Sequence, residues 1–129
     1  MKAKDLDLFK NLCDWDLNPD EYWDLHNDFE CVRIINEKGL LKFVFKSISD
    51  ATNFLYLEFM DTELTHLDLS LAEPLATLTL DNVYRGRFQV NGDLIEFDQQ
   101  QRGYFYLEFY EGPMFEFWSS GVSLIKIQV

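Results

Sequence analysis

The sequence predicts an α+β protein that is mostly β, with two short N-terminal helices followed by about ten antiparallel strands in a sandwich or barrel-like meander. Three observations lead to this prediction. The first thirty residues carry apolar side chains at helical spacing, the apolar period changes to two from Cys31 onward, and short turn-rich segments separate the β-like runs. Short connections join antiparallel neighbours, so we expect a meander. The predicted strands are 31–36, 41–47, 53–60, 64–71, 76–81, 83–90, 94–98, 103–110, 114–118 and 122–128.

Length and composition indicate one folded domain. The chain has 129 residues, of which 47% are hydrophobic, and this suffices for a core without disulfides or metal. We expect a single domain, 1–129, in which a helical segment, 1–30, packs on an antiparallel sheet, 31–129. The start of the chain lacks the apolar stretch and cleavage site of a secretory signal, and Cys13 and Cys31 fit no metal or disulfide framework. These features favour a cytoplasmic protein with two reduced thiols.

The segment LNPDEYWDLHNDFE carries the signals of a helix start. Asn18 is the predicted N-cap, Pro19 fits the first helical position, and Glu21 completes a capping-box spacing. The preceding segment, DLDLFKNLCDW, has an apolar stripe of its own and predicts the other helix. The positions that follow the cap at helical spacing, and that we expect to face the core, are Tyr22, Leu25, His26 and Phe29.

The acidic residues around this cap resemble the opening of an EF-hand calcium loop, because Asp14, Asp16 and Asn18 occupy alternating positions. The likeness then ends. Pro19 stands where the loop needs glycine, and Leu25 stands where it needs a bidentate glutamate. Since the helix cap explains the same residues, we predict no metal site and no cofactor.

Asn91-Gly92 predicts a two-residue β-hairpin, because a type I′ turn needs positive φ at both positions. Folding the chain there gives one mainly apolar face. On the other face it opposes Arg87 to Glu96 and Arg85 to Asp98. We interpret these arginines as structural partners in cross-strand ion pairs.

Two further hairpins are predicted upstream. A turn at 61–63 would pair the strand before it with the strand after it, which sets His66 opposite Glu58. We therefore interpret His66 as an exposed cross-strand partner and not as a catalytic base. In the segment IINEKGLLKFVF, Gly39 is the predicted left-handed turn residue.

The segment YFYLEFYEGPMFEFW concentrates aromatic rings in a final hairpin. A turn at 111–113 would oppose Phe109 to Phe115 on a core face. On the second face it would oppose Glu108 to Glu116, with tyrosines, methionine and tryptophan around them. A slip of one residue would set phenylalanine against glutamate, so the even register is preferred. The candidate partner-binding residues on the second face are Tyr104, Tyr106, Glu108, Tyr110, Met114, Glu116 and Trp118.

Rings around carboxylates are typical of a recognition surface for a cationic partner. Two other interpretations of this second face stay open. A second layer of structure could cover it, with the phenol and indole groups finding internal partners, or the rings could line an internal ligand cavity.

The charge of the chain narrows the class of partner. Twenty-three acidic residues against eleven basic ones give a net charge of −12, which opposes binding to nucleic acid and to anionic membranes. The chain holds two histidines and lacks nucleophile, phosphate-loop and dinucleotide motifs. We therefore expect a protein that is not an enzyme.

These properties together favour an acidic inhibitor or adaptor that binds a basic protein. In size, acidity and aromatic content the chain is similar to bacterial immunity proteins, and this similarity implies a cationic toxin nuclease as one candidate partner. It lies in bulk properties and involves no defined motif. Two alternatives stay open: a β-sandwich that binds a small molecule or carbohydrate, and a structural subunit of a larger assembly. The chain itself could be a monomer or a homodimer.

Overall fold

The computed structural model describes residues 25–69, 78–96 and 98–129. Every pair of neighbouring strands in it runs antiparallel, which confirms the prediction of a mostly β, antiparallel protein. The strands of the described residues are β1 (Phe29–Glu37), β2 (Leu40–Ser47), β3 (Asn53–Met60), β4 (Glu63–Asp68), β5 (Leu80–Arg85), β6 (Arg87–Val90), β7 (Asp93–Glu96), β8 (Asp98–Gln99), β9 (Arg102–Phe109), β10 (Met114–Ser119) and β11 (Gly121–Gln128).

The predicted helices and the calcium-like segment lie outside the described residues, except for the end of the helical segment. There, residues 25–28 form a turn and Phe29 begins β1, so the predicted helical segment, 1–30, does not reach residue 30. Leu25 is buried, as its place on the predicted apolar stripe requires. His26, which is also predicted to face the core, is exposed, and its Nδ1 lies 2.6 Å from the carbonyl oxygen of Leu80.

Two sheets contain most of the strands. The first sheet has the order β1-β2-β3-β11, and the second has the order β4-β10-β9-β5 with the short β8 added beside β9. The remaining strands, β6 and β7, form a separate hairpin. In the described residues no helix is long and apolar enough to cross a membrane.

Phenylalanine rings hold the two sheets face to face. Phe43 of β2 contacts Phe109 of β9 with ring centroids 5.9 Å apart. Phe59 of β3 contacts Phe117 of β10 at 4.8 Å and Phe105 of β9 at 5.2 Å. All of these rings are fully buried. Because successive residues of a strand point to opposite faces, the period-two pattern places the phenylalanines on the inward face and the intervening residues on the outward face.

The chain crosses between the sheets at a corner made by two adjacent connections. One runs from β3 to β4 through Asp61, which has φ 50°, and the other runs from β10 to β11 through Ser120. The side chain of Ser119 is completely buried at this corner. Its Oγ lies 2.8 Å from the carbonyl oxygen of Met60 and 2.7 Å from that of Gly121. This hydroxyl therefore ties the two crossing connections together.

The opposite side of the sandwich is joined by a backbone bridge. The N–H of Cys31 in β1 donates to the carbonyl of Leu78 at 2.7 Å, and the N–H of Leu78 donates back at 2.9 Å. Leu78 lies two residues before β5, so the bridge links the edge of the first sheet to the edge of the second. The architecture is thus a sandwich that approaches a barrel on this side.

Two predicted turns are confirmed. Asn91 and Gly92 both have positive φ, at 51° and 87°, and the β6–β7 pairing opposes Arg87 to Glu96 as expected. Lys38 and Gly39 also have positive φ, at 49° and 79°, and close the β1–β2 hairpin.

Two other pairings predicted from the sequence are wrong. Arg85 belongs to β5, before a break at Gly86, and it lies opposite Phe105, whereas Asp98 lies opposite Gly103. The Arg85 side chain is buried with its guanidinium carbon 5.9 Å from the Phe105 ring centroid. Arg85 and Asp98 are therefore not opposite each other in one hairpin, contrary to the prediction from the sequence.

The hairpin predicted at 61–63 is also wrong, because β3 and β4 belong to different sheets. β3 pairs with β11, and β4 pairs with β10. His66 consequently lies opposite Glu116 and not opposite Glu58. The short turn is a corner between sheets, which local sequence signals do not distinguish from a hairpin turn.

We predict that Ser119→Ala lowers the free energy of unfolding by about 1–3 kcal/mol, because it removes a buried hydroxyl that can donate to the Met60 carbonyl on one connection while accepting from the Gly121 N–H on the other. Ser120→Ala is the matched control, since its Oγ lies 3.4 Å from the same Met60 carbonyl and contributes less. Urea denaturation of both variants measures the difference. Equal stability of the two variants would show that the Ser119 hydroxyl does not secure the corner.

Candidate functional site

The aromatic hairpin has the predicted faces but a different register. β9 and β10 oppose Glu108 to Met114, Tyr106 to Glu116, and Tyr104 to Trp118. The turn is centred on Glu111, which has φ 46°, one residue earlier than predicted. This moves the pairing by two residues, so every side chain keeps its face. The predicted opposition of Glu108 to Glu116 is wrong, and with it the like-charge repulsion across the hairpin.

The loop explains why the turn comes early. The N–H of Phe109 donates to the carbonyl of Pro113 at 3.0 Å, and the N–H of Gly112 donates to the carbonyl of Phe109 at 3.2 Å. Tyr110 therefore lies in the turn, where its N–H donates to the carbonyl of Thr79 at 2.8 Å and its ring is 61% exposed. The prediction that Tyr110 lies on the second face of the hairpin is therefore wrong, because Tyr110 lies in the turn at the end of that face.

The outward face of the second sheet collects the other six predicted residues, and we call it the aromatic–acidic face. Since residues opposed across antiparallel strands share a face, the pairing defines its members. They are Asn82 and Tyr84 on β5, Tyr104, Tyr106 and Glu108 on β9, Met114, Glu116 and Trp118 on β10, and Glu63, His66 and Asp68 on β4. The six predicted residues on it are half-buried.

Tyrosine hydroxyls hold the two central carboxylates of this face. Tyr106 donates its hydroxyl to Oε2 of Glu108, two residues along β9, at 2.5 Å. Tyr104 donates to Oε2 of Glu116, across the strand pair, at 2.5 Å. The Thr65 hydroxyl lies 2.7 Å from that of Tyr104 and 3.2 Å from the Glu116 carbonyl oxygen. Each carboxylate is thus oriented by a neighbouring tyrosine.

The same bonds change the acidity of the phenols. The hydrogen bond to Glu108, together with desolvation and the nearby negative charge, raises the pKa of Tyr106 above its ordinary value of 10.0. Desolvation and the bond to Glu116 raise the pKa of Tyr104 in the same direction. A carboxylate that accepts a hydrogen bond from a phenol favours the neutral phenol, so both hydroxyls remain donors through the neutral pH range.

Ring contacts fix the aromatic part of the face. Tyr84 and Tyr106 stack with centroids 4.8 Å apart and planes 2° from parallel. Tyr104 and Trp118 meet edge to face at 5.0 Å and 68°. Because these rings pack against one another, each retains little side-chain freedom.

Acidic residues predominate in the charge of the face. Its four carboxylates are Glu63, Asp68, Glu108 and Glu116. Arg102, at the start of β9, makes an ion pair with Glu63 at 3.0 Å, which places one cation at the border. The central carboxylates of Glu108 and Glu116 therefore create a negative potential framed by rings, and such a surface attracts a cation.

Burial limits the reactivity of Cys31. Cys31 is buried, and desolvation raises the pKa of its thiol to about 12, which suppresses the reactive thiolate. Within ranges 25–69, 78–96 and 98–129, no group of three or more His, Cys, Asp or Glu side chains is placed to hold a metal ion. His66 is exposed and lies opposite Glu116, whereas the sequence predicts Glu58 as its neighbour.

The sequence does not predict several members of the aromatic–acidic face. Tyr84, His66 and Asp68 reach it from β5 and β4, which lie far from β9 and β10 along the chain. Tyr84 does carry a usable signal, because it follows apolar Val83, which packs against the core, and alternation then directs Tyr84 outward. Its stacking on Tyr106 depends on strand order, which no short segment specifies.

No protein-family model matches this chain, and no curated protein matches it either. The interpretation of the aromatic–acidic face therefore depends on its geometry and chemistry.

We predict that Tyr106 ionises above the pH range of ordinary tyrosines and that Glu108→Gln moves this titration down towards the ordinary value. Ultraviolet difference absorbance during an alkaline titration measures this, and Tyr106→Phe identifies the contribution of Tyr106. Since its folded pKa is raised, the stabilisation is complete below the ordinary pKa and is lost as pH rises through the folded value. An unchanged titration in Glu108→Gln would contradict the hydrogen bond.

Proposed function

We propose that the chain is a non-enzymatic protein-binding module that holds a basic protein partner on its aromatic–acidic face. The favoured role is that of an acidic inhibitor or adaptor, for example one that neutralises a cationic toxin nuclease. The observation that carries the proposal is the arrangement of Glu108 and Glu116, each held by a tyrosine hydroxyl at the centre of a half-buried aromatic sheet face.

The position of these carboxylates on central strands supports binding over mere solubility. An acid that serves only solubility needs no fixed orientation. Glu108 and Glu116, in contrast, each accept a 2.5 Å hydrogen bond from a tyrosine whose ring also packs against another aromatic ring. Orienting an acceptor in advance lowers the entropy cost of binding a lysine or arginine. Charge-assisted bonds to such acceptors are also stronger than neutral ones.

The rings support the proposal in a second way. Tyrosine and tryptophan are enriched at the energetic centres of protein interfaces, where they bury large areas with few rotatable bonds. Tyr106 and Trp118 occupy adjacent central strands, with Tyr84 extending the surface towards the edge. The net charge of −12 adds long-range attraction for a basic partner.

We predict that Tyr106→Ala and Trp118→Ala each weaken partner binding by about 2 kcal/mol or more, about thirtyfold in affinity. The partner is first captured from the native host with the wild-type protein and is then purified for calorimetry. Tyr56→Ala is the matched control, because Tyr56 is a half-buried tyrosine on the outward face of the first sheet, beneath the Lys42 ammonium at 4.0 Å. Circular dichroism verifies that each variant is folded. Equal affinities for all variants would overturn the proposal.

We predict that Glu108→Lys slows association with the basic partner and weakens the salt dependence of the rate. Glu37→Lys makes the same change in net charge at an exposed position of β1, in the other sheet, and should slow association less. Stopped-flow measurements at several salt concentrations compare the two. Equal slowing would mean that the total charge, and not this face, steers the partner.

A further inference from the structure

The two sheets carry the same short sequence on a central strand. The tetrapeptide Tyr-Leu-Glu-Phe occurs at 56–59 on β3 and again at 106–109 on β9. Each copy pairs with a strand that contains Phe-x-Phe, at 43–45 on β2 and at 115–117 on β10. In both copies the leucine and the phenylalanines are buried, whereas the tyrosine and the glutamate lie on the outward face. The outward faces of the two sheets can therefore be compared position by position.

One equivalent position differs in charge between the two faces. Lys42 of β2 lies opposite Glu58 of β3. At the same place in the second sheet, Met114 of β10 lies opposite Glu108 of β9. The first sheet thus supplies a cation beside its Tyr-Leu-Glu segment, and the second sheet supplies a neutral thioether there.

Hydrogen-bond parity gives these two pairs the same geometry. The carbonyl of Thr52 accepts from Val129, directly after β11, so even-numbered residues of β3 direct their backbone bonds to β11 and away from β2. The carbonyl of Tyr104 accepts from Gly86, directly after β5, so even-numbered residues of β9 direct theirs away from β10. Both glutamates therefore belong to non-hydrogen-bonded pairs, in which the opposed side chains lie closest together.

The first sheet shows how a cation binds at this position. The Lys42 ammonium lies 4.0 Å from the centroid of the Tyr56 ring and 3.6 Å from Oε1 of Glu58. All three residues are half-buried. A lysine that lies over a ring while it pairs with a carboxylate is attracted by both, and its aliphatic stem covers apolar surface. Lysine, tyrosine and glutamate together satisfy this site within one chain.

The second sheet has the ring and the carboxylate without the lysine. Glu108 accepts a bond from Tyr106 on Oε2, and no described residue bonds its Oε1. The residues opposite Glu108 on its two neighbouring strands, Asn82 and Met114, are both neutral. Tyr106 also lies opposite a second carboxylate, that of Glu116, where the first sheet has a valine. The negative charge around this ring therefore exceeds that around its counterpart and favours a cation from outside.

We propose that a lysine of the basic partner occupies this position, with its ammonium over the Tyr106 ring and paired with Oε1 of Glu108. Its aliphatic stem would lie along Met114, whose unbranched apolar side chain suits such a contact. This inference rests on the proposed function, because it specifies how the aromatic–acidic face binds its partner. It repeats between two molecules the arrangement that Lys42 makes within one.

Met114→Lys tests the position by filling it from within the chain. The new lysine should lie over Tyr106 as Lys42 lies over Tyr56, and it should lower the affinity for the captured partner at least about thirtyfold, because it displaces and repels the partner's lysine. His66→Lys is the matched control, since it adds the same charge at an exposed position of the same face, on β4, two strands from β9. It should lower the affinity much less. Calorimetry compares the variants, and equal losses would overturn the proposal.

A double-mutant cycle tests the position without the partner. If the new lysine pairs with Glu108, then Glu108→Gln should destabilise the Met114→Lys variant towards urea more than it destabilises the wild-type chain. The reference cycle combines Lys42→Met with Glu58→Gln, and it should show a favourable coupling of the same sign. Absence of coupling between positions 108 and 114 would overturn the proposal.

Chemical protection identifies the partner's group. In the wild-type complex, one lysine of the partner should be protected from acetylation by acetic anhydride, and mass spectrometry of the digested partner detects it. Protection of no lysine would overturn the proposal.

The outcomes separate this proposal from the proposed function. If Tyr106→Ala and Trp118→Ala weaken binding while Met114→Lys does not, the partner uses the face without a lysine at this position, so the proposed function stands and this proposal is wrong. Equal affinities of Tyr106→Ala, Trp118→Ala and the wild-type chain would overturn both.

Discussion

The packing of phenylalanine rings between the two sheets is the interaction on which the rest of the structure depends. Phe43 and Phe59 from the first sheet contact Phe105, Phe109 and Phe117 from the second, and all are fully buried. These rings occupy inward positions, which alternate with outward positions along each strand. Burying the rings therefore leaves the intervening residues on the outer surface. The aromatic–acidic face is therefore the reverse side of the core.

This coupling restricts how the face can change. A shift of one residue in β9 or β10 would place carboxylates among the phenylalanines, at a cost of several kcal/mol for each buried, unpaired charge. The surface groups are consequently held by the core beneath them as well as by their own contacts, such as the 2.5 Å bond from Tyr106 to Glu108. Evolution can exchange the side chains on the surface, but their spacing is set by the buried rows.

The sequence predicts the elements and their faces better than their partners. The alternation of apolar and polar residues predicts most strands. The preference of asparagine and glycine for turns predicts the positive φ angles at Asn91, Gly92 and Gly39. Alternation does not distinguish registers that differ by two residues, because both bury the same phenylalanines, and so Glu108 was matched to Glu116 and not to Met114. Six of the seven candidate residues nevertheless share one face, since that depends on parity alone. Tyr84 and His66 were missed because their strands join from distant parts of the chain.

The pairing of β11 with β3 has a consequence for biosynthesis. Gly121 lies opposite Met60, so the first sheet stays incomplete until residues 121–128 have left the ribosome. The phenylalanine-rich strands made earlier belong to both sheets, and no early hairpin buries them alone. Because the pairing of β11 with β3 joins residues more than sixty positions apart along the chain, it adds to the non-local contacts that slow the folding of β-proteins.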